Sequence, residues 1–533
     1  MIGSVAGMGE GMGVSDLDSD AKTSGLGFRF PGAVTTLAIV VVLVWVAALF
    51  IPSGRYLTDA DGSPIPGTYE QTASPLSPSE TVQQLVLAPI NGIYGLRSIH
   101  TETIDTEAVG RIFGQIGIIV FIMSIGAFIS VSFATRSLEV AVAALAYRLR
   151  DKGWLLIASV MVLFSLLGST MGFSVETLGF YALFLPLMAA LGYDRLVTAS
   201  MIILGALVGV MGGTVNPFSI GVAAGEAGVS LGDGIVLRAI LWAVLTTMAV
   251  GWVLRYAAKV RQDPGASLVG WDDDGATNAI APDQATFKER ELLTTTQKWV
   301  LAITAFAFGL MIFSVIPWSS VLGGHVGPAD YHATHEVVGV RPLWFELNWW
   351  FPQLAMLFIL ASVLVGIVAG KGEKETVRLI AAGASDMMGP AMVVLLAGGV
   401  SAIMTNTQTL DTVLFSMEKM VSGASAAVFI FLTTLVNIPL GILIPSSSGH
   451  GALAMPLLAP LADFAQVSRA TTITAWIVGH GLALIIAPTS VVLVGGLAIA
   501  KVGYNQYLRF IWPLWLAFFF VATAIIAIAE TLK

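Results

Sequence analysis

Four short clusters combine helix-breaking residues with small oxygen-bearing side chains. Two are Gly168-Ser-Thr-Met-Gly-Phe-Ser-Val-Glu-Thr177 and Pro445-Ser-Ser-Ser-Gly-His-Gly451. The others are Gly212-Gly-Thr-Val-Asn-Pro-Phe-Ser219 and Ala487-Pro-Thr-Ser490. Each interrupts a long apolar stretch. A helix broken inside a membrane frees backbone N–H and C=O groups, and these are costly in lipid unless they face a ligand or a water-filled cavity. Freed carbonyls and Ser, Thr or Asn oxygens suit a dehydrated Na⁺, and half-helix N-termini suit a carboxylate. The chemistry expected here is reversible binding of an ion and a small anion-bearing molecule.

The residues expected to hold the substrate are Ser169, Thr170, Glu176, Asn216, Ser446, Ser447, Ser448, His450 and Thr489. Two cation sites are expected, one from Ser169, Gly213, Thr214 and Asn216, the other from Ser446, Ala487, Thr489 and Ser490. Glu176 is the sharpest single residue, because a carboxylate at membrane depth must be paired, protonated or in use. Its bland alternative is a helix-start carboxylate facing its own amides. His450 is read equally as a pH-sensitive gate and as a satisfied buried histidine. His480 is expected to be a core histidine, and Asn406 and Asn437 helix-bridging amides. No Lys or Arg is seen near the four clusters and Glu176 is, which favours an amino acid, a basic one included, over a dianion.

Composition supplies the setting. Of 533 residues, 56% are apolar and 11% charged, against about 25% charged in a soluble domain. The net charge of −8 gives no polybasic surface for nucleic acid. With no cysteine, thiol catalysis and disulfides are excluded. Gly366-Ile-Val-Ala-Gly-Lys371 is one residue short of a phosphate-binding loop. His325, His332, His335 and Glu336 are read as a solvated loop rather than a metal site. No hydrolase motif is found, and no enzyme or cofactor is expected beyond Na⁺ or H⁺ as a coupling ion.

The elements that must position the clusters follow from hydropathy. Apolar runs of spanning length lie near 33–51, 110–133, 195–215, 235–256, 299–317, 350–369, 388–405, 469–487 and 507–531. The stretches 154–191 and 425–465 are too long for one span and are read as re-entrant hairpins. Basic residues near 136–152, 255–290 and 371–378 mark cytoplasmic loops, and an Asp-rich tail, 1–29, is read as disordered and cytoplasmic. The C-terminus is then external. Residues 257–298 form a cytoplasmic loop, and 299–369 link two halves through an external loop at 318–348.

The halves match. Pro217-Phe-Ser219 and Pro488-Thr-Ser490 lie 271 residues apart, as do Leu237-Arg238 and Leu508-Arg509. Pro186 and Pro456 pair at nearly the same offset. Counting crossings, the second repeat (370–533) enters from the side opposite to the first (30–256, including the first span). Each repeat holds a hairpin and a broken helix (195–227 and 469–500). The expected fold is an all-α polytopic membrane protein, with the site at the repeat interface. Polarity confined to four breaks suits an occluded carrier site better than a passive channel. Gly205, Gly209 and Gly213 point to close helix packing.

These motifs, with Pro66-Gly-Thr-Tyr-Glu-Gln71, resemble the YfcC-like branch of the C4-dicarboxylate anaerobic carrier (DcuC) family, within the ion transporter superfamily. The resemblance runs from about residue 30 to the C-terminus. It implies a homodimeric elevator-type secondary transporter in the bacterial inner membrane, carrying amino acids or, alternatively, C4-dicarboxylates. Superfamily tips commonly read Ser-Asn-Thr; these tips carry no Asn.

Overall fold

A computed structural model of the chain describes residues 33–57, 64–77, 79–83, 87, 91, 96–98, 110–112, 115–271, 293–322, 343–421 and 424–532. The tail, His325, His332, His335 and Glu336 lie outside the described residues. Most of the chain is helical, and among the described residues nine helices are long and apolar enough to cross a membrane. The protein is an integral membrane protein.

The first helix, α1, is Ala33–Ala48. The first half then runs α2 (Ile116–Phe133), α3 (Ser137–Arg148), α4 (Gly153–Met171), a 3-10 turn (Val175–Phe180), α5 (Tyr181–Ala190), α6 (Arg195–Met211), α7 (Val222–Ala227) and α8 (Ile235–Gln262). Linking helices α9 (Thr295–Val315), α10 (Trp318–Val321), α11 (Phe351–Val368) and α12 (Glu373–Asp386) follow. The second half runs α13 (Met388–Asn406), α14 (Leu410–Val421), α15 (Ala426–Leu443), α16 (Ser447–Phe464), α17 (Arg469–Ile486), α18 (Val491–Ile499) and α19 (Tyr504–Thr531). The seven helices from α2 to α8 and the seven from α13 to α19 succeed one another in the same order of roles. The stretches 154–191 and 425–465 each form two helices about a break, at Gly172 and at 444–446.

Three expectations are corrected. The all-α reading omitted two short antiparallel strand pairs, β1 (Gly54–Arg55) with β2 (Glu70–Gln71), and β3 (Leu96–Ser98) with β4 (Gly110–Ile112). The span expected from 110 therefore begins at Ile116, because Gly110–Ile112 carries Arg111 and pairs as a strand. Lys374 and Arg378, expected in a loop, lie on α12, whose polar composition hid it from a hydropathy search.

Close approach decides the packing. A Cβ on Gly209 of α6 would lie 2.2 Å from the Ser165 carbonyl oxygen of α4. In the second half a Cβ on Gly479 of α17 would lie 2.5 Å from Thr434 O of α15. Gly126 of α2 and Gly383 of α12 meet likewise, at 2.5 and 2.3 Å from each other's carbonyl oxygen. Small residues let these helices touch backbone to backbone, where dispersion rather than water exclusion holds helices together.

Before α2, residues 53–57 and 64–72 strap onto the second half. Ser53 Oγ donates to Thr407 O (2.8 Å), Tyr56 N–H to Asp411 Oδ2 (2.9 Å), and Tyr56 Oη–H to Glu418 Oε2 (2.5 Å). Burial and the Glu418 carboxylate push the Tyr56 phenol well above its ordinary range.

Candidate functional site

The end of α4 and the break after α6 are tied together. Ser169 Oγ lies 3.0 Å from Gly212 O and 3.1 Å from Thr214 Oγ1, and it accepts from Thr214 N–H at 3.0 Å. Asn216 Nδ2 donates to Gly168 O (3.2 Å), while its Oδ1 accepts from Phe218 N–H (3.0 Å) and starts the Pro217–Gly221 turn. Gly172, at φ +73°, ends α4 in the left-handed conformation that glycine adopts without strain. Thr170 Oγ1 bonds back to Leu166 O (2.8 Å). Ser169 and Thr170 thus hold the break and the helix end.

The second half repeats the device with other residues. Thr489 Oγ1 donates to Ile442 O (2.7 Å), joining the break after α17 to the end of α15. Ser446 caps α16, accepting from Gly449 N–H (3.3 Å), and lies 3.1 Å from Ser448 Oγ. Ser490 is buried, and its N–H donates to Ala487 O (3.0 Å). Tyr504 Oη donates to Ile486 O.

A basic residue sits at the first break, contrary to the expectation that none does. Arg238 of α8 is buried and donates through Nε to Thr214 O (2.9 Å), and through Nη1 and Nη2 to Asp233 O (2.6 Å) and Leu231 O (2.7 Å). Its partner in the repeat, Arg509, is exposed. An arginine inside an apolar helix was itself the overlooked signal, because such a charge must find acceptors. The bond takes up the Thr214 carbonyl, and the guanidinium charge disfavours a second cation beside it.

A cavity of about 330 Å³ collects part of the expected set. Glu176, Asn216, Ser446, Ser447 and Ser448 line it, with apolar wall from Phe133, Met171, Phe173, Phe218 and Leu484. Met387 and Pro390, beside and within α13, also line it and had no sequence signal. Ser169, Thr170, Gly213, Thr214, His450, Ala487, Thr489 and Ser490 are not on its wall. Glu176 is exposed and accepts from Ser174 N–H (3.0 Å). Among the described residues, Glu176 is the one charged residue on that wall.

His450 instead lies behind the wall. Its Nε2 is 2.9 Å from Asn437 Oδ1 and its Nδ1 is 2.9 Å from His480 Nδ1. No spacing or motif joins these three residues in the sequence.

Tied helix breaks, a helical membrane body and a cavity lined by both polar and apolar residues are the architecture a membrane carrier needs. The fold is shared with solved transporters. It covers 93% of this chain and 98% of the Alcanivorax borkumensis YdaH transporter (TM-score 0.64, 15% identity). It covers 94% of this chain and 96% of Neisseria gonorrhoeae MtrF (TM-score 0.61, 16% identity), a protein described as illuminating a class of antimetabolite efflux pumps. The profile of the C4-dicarboxylate anaerobic carrier family, DcuC, matches residues 30–531, and the chain belongs to that family. An uncharacterized protein of Haemophilus influenzae is 28% identical over 93% of this chain and 96% of its own length. Escherichia coli (strain K12) YfcC, named as a candidate basic amino acid antiporter, is 28% identical over 78% of each chain.

Proposed function

We propose that this carrier is a secondary active transporter of a small carboxylate-bearing metabolite, an amino acid and first a basic one. The observation that supports this reading is the cavity's polarity. The N-terminus of α16, with Ser446, Ser447 and Ser448, offers amides and hydroxyls to a carboxylate. Glu176 offers a counter-charge to an ammonium or guanidinium group. Arg238 lies off the wall with its three donor nitrogens engaged, so it leaves that balance in place.

In this reading 154–191 and 425–465 are re-entrant hairpins. They move with the broken helices as one elevator body against the remaining helices, in a homodimer of the inner membrane. The N-terminus is cytoplasmic and the C-terminus external. The like order of helices in the two halves and the Ser169–Thr214 and Thr489–Ile442 ties support it. Na⁺, H⁺ or exchange drives the cycle. A Na⁺ at the first break would share Thr214 O with Arg238, so Ser446, Ala487, Thr489 and Ser490 are the better Na⁺ set.

The test is labelled arginine exchange in proteoliposomes preloaded with arginine, competed by other amino acids and by succinate, with and without Na⁺. Exchange blocked by amino acids supports the reading. Silence from folded protein, with succinate exchange in its place, selects the C4-dicarboxylate reading that the family name favours. Single-channel current would select a passive pore.

A further inference from the structure

The second half carries a buried chain of Asn437, His450 and His480. Asn437 Nδ2 donates to Thr433 O (2.7 Å), which turns Oδ1 toward His450 Nε2. Asn437, His450 and His480 are each 1% exposed or less. The tautomers follow from this direction. Oδ1 can accept only, so His450 Nε2 carries a proton. A neutral His450 then has a bare Nδ1, which accepts from Nδ1–H of His480. A neutral His480 is left with a bare, buried Nε2 that has no hydrogen-bond partner among the described residues. One more proton fits, at that atom. A second does not, because two N–H groups would then face each other across 2.9 Å.

The pair stands one turn behind the cavity. On α16, His450 follows Ser446 and Ser447 by four and three residues; on α17, His480 precedes Leu484 by four. Ser446, Ser447 and Leu484 all line the wall. At the repeat offset of 271 the residue matching His480 is Gly209, which packs on Ser165. The first half therefore has no histidine at the matching position.

We propose that the His450–His480 pair is the coupling-proton site of this carrier, holding no added proton or one. Hydronium from the aqueous side gives H⁺ to His480 Nε2: an N–H bond forms, an O–H bond breaks and water leaves. After the cavity changes side, the same N–H returns its proton to water. An ionisable group inside a membrane protein is a natural proton relay. The proposal rests on the transporter reading for the word coupling, and on the hydrogen-bond chain alone for the proton site.

The surrounding charges do not compete for this role. Packed against α16 and α17 are α6, α7, α13, α14, α15, α18, α19 and the 217–221 turn. The turn, α13, α15 and α18 carry no titratable residue. Glu226 of α7 pairs with Gln115, Asp463 with Arg469, and Glu530 with Ser468 and Thr471. On α14, Asp411 and Glu418 hold the strap, and Lys419 lies on the same helix. On α19, Tyr504 donates to Ile486 O, Tyr507 lies beside Tyr181 and Tyr504, and Arg509 is exposed. Arg195 stands at the first residue of α6.

Two measurements test it. The chain has six histidines, so ¹⁵N-histidine NMR in bilayers can resolve the pair, with His450→Gln and His480→Gln for assignment. The expected spectrum shows His480 as the Nδ1–H tautomer and His450 as the Nε2–H tautomer, with one proton added per pair on acidification. The reverse tautomers, two added protons, or no titration between about pH 4 and 9 overturns the proposal. In proteoliposomes, the ratio of pH-gradient-driven arginine accumulation to arginine exchange should fall at least about tenfold in His480→Gln. An unchanged ratio, as a packing role would give, also overturns it. If the unaltered protein moves no arginine, the arginine reading fails and the NMR titration alone decides the proton site.

Discussion

At the scale of single residues, some side chains tie helix ends and others face the cavity. Ser169 and Glu176 were both expected to bind substrate, and the structure gives them different surroundings. Ser169 is buried and bonded to the first break, whereas Glu176 is exposed on the cavity wall with one backbone partner. Glu176→Gln should therefore leave thermal stability within about 0.5 kcal/mol, as for surface changes away from special features. It should raise the arginine KM about tenfold, the loss expected when a charge-assisted hydrogen bond becomes neutral. An unchanged KM would return Glu176 to a helix-start role. Arg238 and Arg509 make a matched pair. Arg238→Met removes a buried guanidinium from three carbonyls and should cost about 3 kcal/mol or more, seen as a fall in Tm in detergent. Arg509→Met, at the equivalent exposed position, should cost about 0.5 kcal/mol or less. Equal losses would show that the guanidinium contacts do not carry Arg238's weight.

At the scale of elements, hydropathy and glycine made most helices legible, because lipid demands about 20 apolar residues per crossing and a broken run announces its break. The four clusters fell at helix ends for that reason. What stayed hidden was polar or non-local. α12 is too polar for a hydropathy search to find, and it lies against α2 through Gly126 and Gly383. The strap of residues 53–57 and 64–72 needs partners more than 300 residues away, so no local pattern could disclose it. The histidine chain joins α15, α16 and α17, and its meaning depends on one amide's orientation. The glycine spacing on α6, by contrast, was readable and has a sharp consequence. Gly209→Val would place a Cβ 2.2 Å from Ser165 O, against backbone that cannot step aside. Little folded protein should survive size-exclusion chromatography, whereas Gly251→Ala on α8, where nothing lies within 4 Å, should elute normally. A folded Gly209→Val protein would mean that α4 and α6 can separate without loss of the fold.

At the scale of the whole molecule, the cavity wall mixes two kinds of element, and this makes the elevator reading testable. Ser174 and Ser447 belong to the two expected hairpins, while Met387 adjoins α13, the counterpart of α2. If the hairpins and broken helices travel as one body, Ser174 and Ser447 keep their separation through the cycle, and Met387 slides past them. The chain has no cysteine, so two introduced thiols are the only ones a bifunctional reagent can find. Linking Ser447→Cys to Met387→Cys should stop arginine exchange, and cleaving the linker should restore it. Linking Ser174→Cys to Ser447→Cys should leave at least about half the rate, because a link within a rigid body removes no motion that the cycle needs. The opposite pattern, with the tip-to-tip link blocking and the Met387 link tolerated, would mean that the cavity opens by parting its two tips. The same helices would then form a gated pore-like carrier instead of an elevator.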